Sequence, residues 1–168
     1  MADAILVLNA GSSSLKFSVF LQGEPPAPLL RGQLEGLFTQ PRFLVRDHAG
    51  GVAGEKEWAA GSRLGHDGAI EFLFAWGRGG ALRGHRIVAA GHRVVHGGLK
   101  FIRPVLIDPD VLSALEALVP LAPLHQPHNL AAIKAIVHRV PELPQAACFD
   151  TSFHPIPLRF FAAVSPCL

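Results

Sequence analysis

Four short stretches of this 168-residue chain hold residue types that can do chemistry on an anion. In the first, Asn9-Ala10-Gly11-Ser12-Ser13-Ser14-Leu15-Lys16, a tip of small residues lets backbone amides approach an anion closely. Alternation along the strand that follows puts Ser14 and Lys16 on one side, a hydroxyl and an ammonium suited to phosphate oxygens. Asn9 ends an apolar run, where its carbonyl could hold a hydrated cation. The spacing is not that of a Walker loop, GxxxxGK[ST], and a strand rather than a helix follows. An ordinary polar hairpin turn would have the same composition.

The second stretch is Gly91-His92-Arg93-Val94-Val95-His96-Gly97-Gly98. Arg93 stands in an otherwise apolar strand. Its fork either grips a carboxylate or phosphate in a cleft or makes a surface salt bridge. His92 and His96, four apart, would form a metal pair on a helix; on a strand-like run that spacing disfavours zinc. In the third, Pro123-Leu124-His125-Gln126-Pro127-His128-Asn129, a loop leads into a helix N-terminus, which attracts anions. His125 can donate a hydrogen bond there, whereas His128 reads as a cap of the helix. The fourth, Phe149-Asp150-Thr151-Ser152-Phe153-His154, ends a buried strand on a carboxylate beside hydroxyls. That is a place for a metal-linked or catalytic Asp, or for a plain turn.

The elements that must carry these stretches follow from pattern. Ala4 to Leu8 does not alternate and reads as a strand buried on both faces. Leu15, Phe17, Val19 and Leu21 alternate with Ser14, Lys16, Ser18 and Phe20, a half-buried antiparallel strand. The chain therefore starts with a hairpin. Gln22 to Pro28 is a Pro-rich connection, and Leu30 to Val45 holds one or two strands with turns near Gly36 and Pro41. Asp47 to Gly54 reads as a loop. A helix lies within Arg63 to Trp76, with Ile70, Leu73 and Phe74 on one face and Gly77 to Gly80 ending it. Ile87 to Val95 is strand-like. Asp108 and Pro109 fit a helix N-cap and first position, with Val111, Leu115, Leu118 and Val119 as the apolar stripe. A second helix runs from Pro127 to about Val137, and Ala146 to Phe149 is a short buried strand.

Composition narrows the class. Hydrophobic residues make up 49% and charged residues 17%, which excludes a disordered tail. The formal net charge of +2 argues against nucleic-acid or membrane-surface binding. No apolar run reaches the roughly 20 residues of a membrane span, and Met1-Ala2-Asp3 lacks the basic start of a secretory signal. Two cysteines, Cys148 and Cys167, show no metal-type spacing. A reducing, cytoplasmic setting is expected.

Taken together, LNAGSSSLKF, GHRVVHGG, LAPLHQPHN and FDTSFH, in this order, resemble the acetate kinase family from about Ala4 to His154. The resemblance implies an α/β fold: a ribonuclease-H-like, actin-like ATPase domain whose mixed sheet begins with an N-terminal hairpin and is flanked by helices. It implies phosphoryl transfer from ATP to acetate, or to propionate, giving ADP and the acyl phosphate. By the same resemblance Asn9 matches the residue assigned to Mg²⁺. Lys16 matches the residue assigned to ATP, with Gly11, Ser12 and Ser14 in the same phosphate-handling turn. Arg93 matches the arginine on the substrate carboxylate, Val95 and Leu124 match walls of the methyl pocket, and His125 and Asp150 match catalytic positions. Asp150 is expected to orient Arg93 or metal-bound water rather than to act as a base.

The family continues past FDTxFH into a Gly-Phe-His-Gly motif, a second arginine, adenosine-binding segments and a C-terminal glutamate, none of which stands in this sequence. His154 belongs to the FDTxFH motif and not to the later histidine motif. Residues 1–154 are therefore expected to be the first lobe of a two-lobe kinase, and residues 155–168 an aberrant or truncated tail. The resemblance implies homodimers for full-length relatives, formed largely through the second domain. An inert fragment with residual anion binding is the alternative, and part of the apolar share would then be surface left uncovered.

Overall fold

The computed structural model describes residues 2–82 and 84–151. Ser152, Phe153 and His154 of the fourth stretch, the expected tail over 155–168 and Cys167 lie outside the described residues.

The described residues form one mixed sheet of eight strands, β1 (Asp3–Ala10), β2 (Leu15–Leu21), β3 (Ala27–Glu35), β4 (Arg42–Asp47), β5 (Val52–Glu57), β6 (Arg86–Val94), β7 (Val105–Leu106) and β8 (Gln145–Phe149). Their spatial order is β5-β4-β3-β2-β1-β6-β8-β7. Strands β1 to β5 form an antiparallel meander. β6 runs parallel to β1, and β8 parallel to β6. This is the ribonuclease-H-like arrangement that the motifs imply.

Three helices, α1 (Gly65–Trp76), α2 (Pro109–Glu116) and α3 (Gln126–Arg139), supply the crossovers. The alternation in β2 does what its pattern requires. Leu15, Phe17 and Val19 are buried with Leu6 and Leu8 of β1 against Ile70 and Leu73 of α1 and Ile136 of α3. A second cluster joins Val94 and Phe149 to Leu115 of α2 and to Leu130 and Ile133 of α3. Phe43 of β4 meets Phe72 and Trp76 of α1 edge to face, with centroids 5.0 and 5.2 Å apart, a favoured aromatic geometry. Asp108 caps α2 as expected, accepting a 2.7 Å hydrogen bond from the Val111 amide.

Several boundaries differ from the sequence expectation. The stretch from Leu30 to Val45 belongs to two strands, and β3 starts at Ala27, so Ala27 and Pro28 lie inside it. Pro28 is tolerated because it sits at the register shift opposite Phe20, where no ladder donor is needed. The expected loop from Asp47 to Gly54 is a tighter turn, and Val52 already belongs to β5. β7, two residues long, was not expected. After Trp76 the chain does not leave its helical path at Gly77: a π-helical turn spans Gly77–Ala81, kinked within it at Gly80, whose φ is 99°. Leu118 and Val119 fall beyond α2, Val119 in a 3-10 turn, and α3 begins one residue before Pro127.

Candidate active site

β1, β6 and β8 are parallel neighbours, so their carboxyl ends meet at one edge of the sheet. Open α/β sheets place ligands at that edge. Asn9 and Arg93 are the penultimate residues of β1 and β6, and Asp150 follows β8. β2 runs the other way, which brings its start to the same edge and pairs Lys16 directly with Asn9. A cavity of about 360 Å³ opens there, lined by Asn9, Gly11, Ser14, Lys16, Arg93, Val95, His125, Asn129 and Asp150. Eight residues singled out from the sequence therefore converge. Two do not: Ser12 lies exposed outside the lining, and Leu124 is 76% exposed and does not form a wall.

Arg93 and Asp150 make a bidentate ion pair, Nε to Oδ1 and Nη2 to Oδ2, both 2.8 Å. Asp150 raises the guanidinium pKa further above its ordinary value. The two readings of Arg93, cleft cation and salt bridge, thus hold together. Asp150 occupies the Nε–Nη2 edge and leaves the Nη1–Nη2 end for a second oxyanion, because the guanidinium carries five donors in a rigid fork. Asp150 thus holds the Arg93 guanidinium in one orientation.

The backbone around the cavity is fixed by residues the sequence reading gave no role. Asn129, buried at the start of α3, donates to the Ala10 carbonyl at 2.7 Å and accepts from the Val95 amide at 3.0 Å. One amide thereby ties the end of β1 to the end of β6. His66, buried at the start of α1, donates Nε2–H to the Gly11 carbonyl at 2.7 Å. Burial lowers the His66 pKa, the bond to Gly11 opposes that, and His128 lowers it further. The available signal for both was a polar residue among apolar helix positions, which must find a partner when buried.

His128 is not a cap. Its ring stacks on His66 with centroids 5.4 Å apart, and the N-cap position of α3 belongs to His125, whose side chain makes no capping bond. His125 borders the cavity at this helix N-terminus, where backbone N–H groups and the helix dipole favour negative charge. His92 and His96 diverge. His92 is buried and bonded to Gln145 at 2.7 Å, while Nδ1 of His96 accepts from the Gly98 amide. Gly97 admits no side chain, since a Cβ there would come within 2.9 Å of the Phe149 ring.

Comparison with known proteins settles the lineage. The model of the acetokinase family matches residues 4–159. The chain belongs to the acetokinase family. An acetate kinase of Rhodopseudomonas palustris is 45% identical over 157 residues, covering 92% of this chain and 39% of that protein. One of Nitrobacter hamburgensis is 47% identical over 159 residues, covering 90% and 38%. Among solved structures, Porphyromonas gingivalis acetate kinase superposes with a TM-score of 0.79 at 34% identity, covering 90% of this chain and 38% of that one. A propionate kinase from Francisella tularensis gives 0.76 at 31% identity, covering 96% and 43%. The chain thus spans about two fifths of the length of these family members.

Among the described residues no group of three or more His, Cys, Asp or Glu side chains is placed to hold a metal ion. The donor set at the cavity, one neutral Asn oxygen and one carboxylate already paired, suits a cation that arrives with phosphate and keeps most of its water, as Mg²⁺ does. No helix among the described residues is long and apolar enough to cross a membrane.

Proposed function

We propose that the cavity takes acetate, or another short carboxylate, on Arg93 and that the complete protein transfers to it the terminal phosphoryl group of ATP: ATP + acetate ⇌ ADP + acetyl phosphate. The observation that carries this reading is the Arg93–Asp150 pair in the cavity wall, which fixes a guanidinium with one bidentate end free. A carboxylate oxygen attacks phosphorus as the bond to the ADP oxygen breaks. The nucleophile is ionised at neutral pH, since carboxyl pKa values lie near about 4. No general base is needed, so positioning and charge neutralisation supply the rate.

Residues 1–154 act as the first lobe. Gly11, Ser12, Ser14 and Lys16 hold phosphate oxygens, and His125 donates to the transferring group. Val95 borders the substrate methyl, and Leu124 closes over it in the complete protein. Asn9 holds Mg²⁺, which neutralises phosphate charge when bound. The setting is cytoplasmic and reducing, in keeping with the unpaired, half-buried thiol of Cys148.

The test is direct. Acetate titrated into the ¹⁵N-labelled chain is expected to shift the amides of Arg93 and Val95 saturably. Arg93→Lys, which keeps the charge and loses the fork, is expected to weaken binding roughly tenfold, the worth of one charge-assisted hydrogen bond. A hydroxamate assay with ATP and Mg²⁺ on this chain is expected to show little acetyl phosphate. Unchanged acetate affinity in Arg93→Lys would defeat the proposal.

A further inference from the structure

The helices pack on one face of the sheet, and the polar edge of the other face continues past the cavity. Register aligns Asn9, Lys16 and Gln33 across β1, β2 and β3, and Ser18, Arg31 and Arg46 across β2, β3 and β4. Arg31 and Arg46 are therefore direct cross-strand partners on one face. Like charges so placed destabilise a sheet. Among the described residues, Lys16, Arg31 and Arg46 have no acidic partner within ion-pair distance. The nearby carboxylate of Asp47 is engaged by its own turn, where Oδ1 accepts from the Ala49 and Gly51 amides at 3.0 and 2.9 Å. A shallow cavity of about 610 Å³ lies over this surface, bordered by Lys16, Ser18, Arg31, Arg46, His48 and Arg93. It shares Asn9, Lys16 and Arg93 with the active-site cavity.

We infer that this face is a second anion site that takes a linear condensed phosphate, one end at Asn9 and Lys16 and the other between Arg31 and Arg46. Neighbouring strands lie about 4.8 Å apart. Lys16, Arg31 and Arg46, on three successive strands, thus present positive charge over roughly 10 Å, more than a single phosphate covers. A chain of phosphoryl groups relieves the Arg31–Arg46 repulsion by placing negative charge between the two forks. The site does not depend on the acetate reading, because Arg31 and Arg46 lie outside the cavity assigned to the carboxylate.

The experiment titrates the ¹⁵N-labelled chain with sodium tripolyphosphate, orthophosphate and acetate at matched ionic strength. Tripolyphosphate is expected to shift amides of β2, β3 and β4 saturably and to bind more tightly than orthophosphate. The double variant R31Q/R46Q is expected to lose roughly tenfold or more in tripolyphosphate affinity, with acetate binding changed less than about twofold. Both positions are exposed, so the amide spectrum of the variant reports directly that the fold is kept. Equal tripolyphosphate affinity in wild type and R31Q/R46Q overturns the inference, as does the absence of saturable shifts in β3 and β4. Loss of acetate binding in Arg93→Lys with tripolyphosphate binding retained would separate the two sites.

Discussion

The two ends of the β1–β2 hairpin each border a cavity, and the two cavities could hardly differ more. At the carboxyl end of β1 lie about 360 Å³ ringed by Asn9, Lys16, Arg93, His125 and Asp150. At the other end lie about 430 Å³ floored by Leu6, Phe17, Val19 and Leu73 and walled by Trp76, Leu82 and Ile87. The apolar one is the larger. What separates them is that polar groups from three parallel strands and two helix starts converge at one end alone. Function follows convergence of specific polar atoms, and cavity volume does not report it.

That contrast can be broken by mutation. Leu73→Ala in the floor of the apolar cavity should cost about 3 kcal/mol of stability, as buried Leu-to-Ala changes do, and leave anion affinity unchanged. Urea unfolding and phosphate titration measure the two separately; a fall in affinity would show that the ends are coupled. Asn129→Ala at the polar end should cost about 2 kcal/mol, because it strips partners from the Ala10 carbonyl and the Val95 amide. Unlike Leu73→Ala, it should also weaken anion binding. Normal binding in a stable Asn129→Ala protein would contradict the role given to that bridge.

A further effect, confined to a pH window, concerns His92, which sits between the two ends. Its pKa is lowered to about 4, chiefly by burial, with the Gln145 bond opposing. The unfolded chain, with an ordinary value near 6.5, then binds more protons than the native one. This contribution is present above about pH 6.5 and is lost as pH falls toward 4. Stability should drop by about 2 kcal/mol between pH 7 and pH 5, and His92→Gln should flatten that part of the profile. An equally steep profile in the variant would move the cause elsewhere.

Much of this could be read before any coordinates. The β1–β2 hairpin was legible because β1 is buried on both faces and β2 on one, which leaves unlike patterns. The Asp108 cap was legible because capping is local. β5 was not, since its residues VAGEKE are almost all exposed and an edge strand wetted on both faces has no apolar period to detect. Asn129 and His66 were missed for a related reason: their partners lie 119 and 55 residues away, and no window of periodicity reaches that far. Leu124 was assigned a wall by motif, yet here its side chain stands in solvent. A motif fixes identity and order, and the surroundings fix what a side chain touches.

The parallel register of β1, β6 and β8 also bears on how the site comes into being. Asn9, Arg93 and Asp150 are separated by more than fifty residues at each step, and no hairpin can bring them together. Parallel pairing waits on long crossovers, and closing such loops is slow compared with local turns. The β1–β5 meander, built from neighbours in sequence, can form without them. The Asn9–Arg93–Asp150 site thus depends on parallel contacts that the meander does not supply, and a molecule with its meander intact and β8 undocked would keep the Lys16, Arg31 and Arg46 face while lacking the Arg93–Asp150 pair.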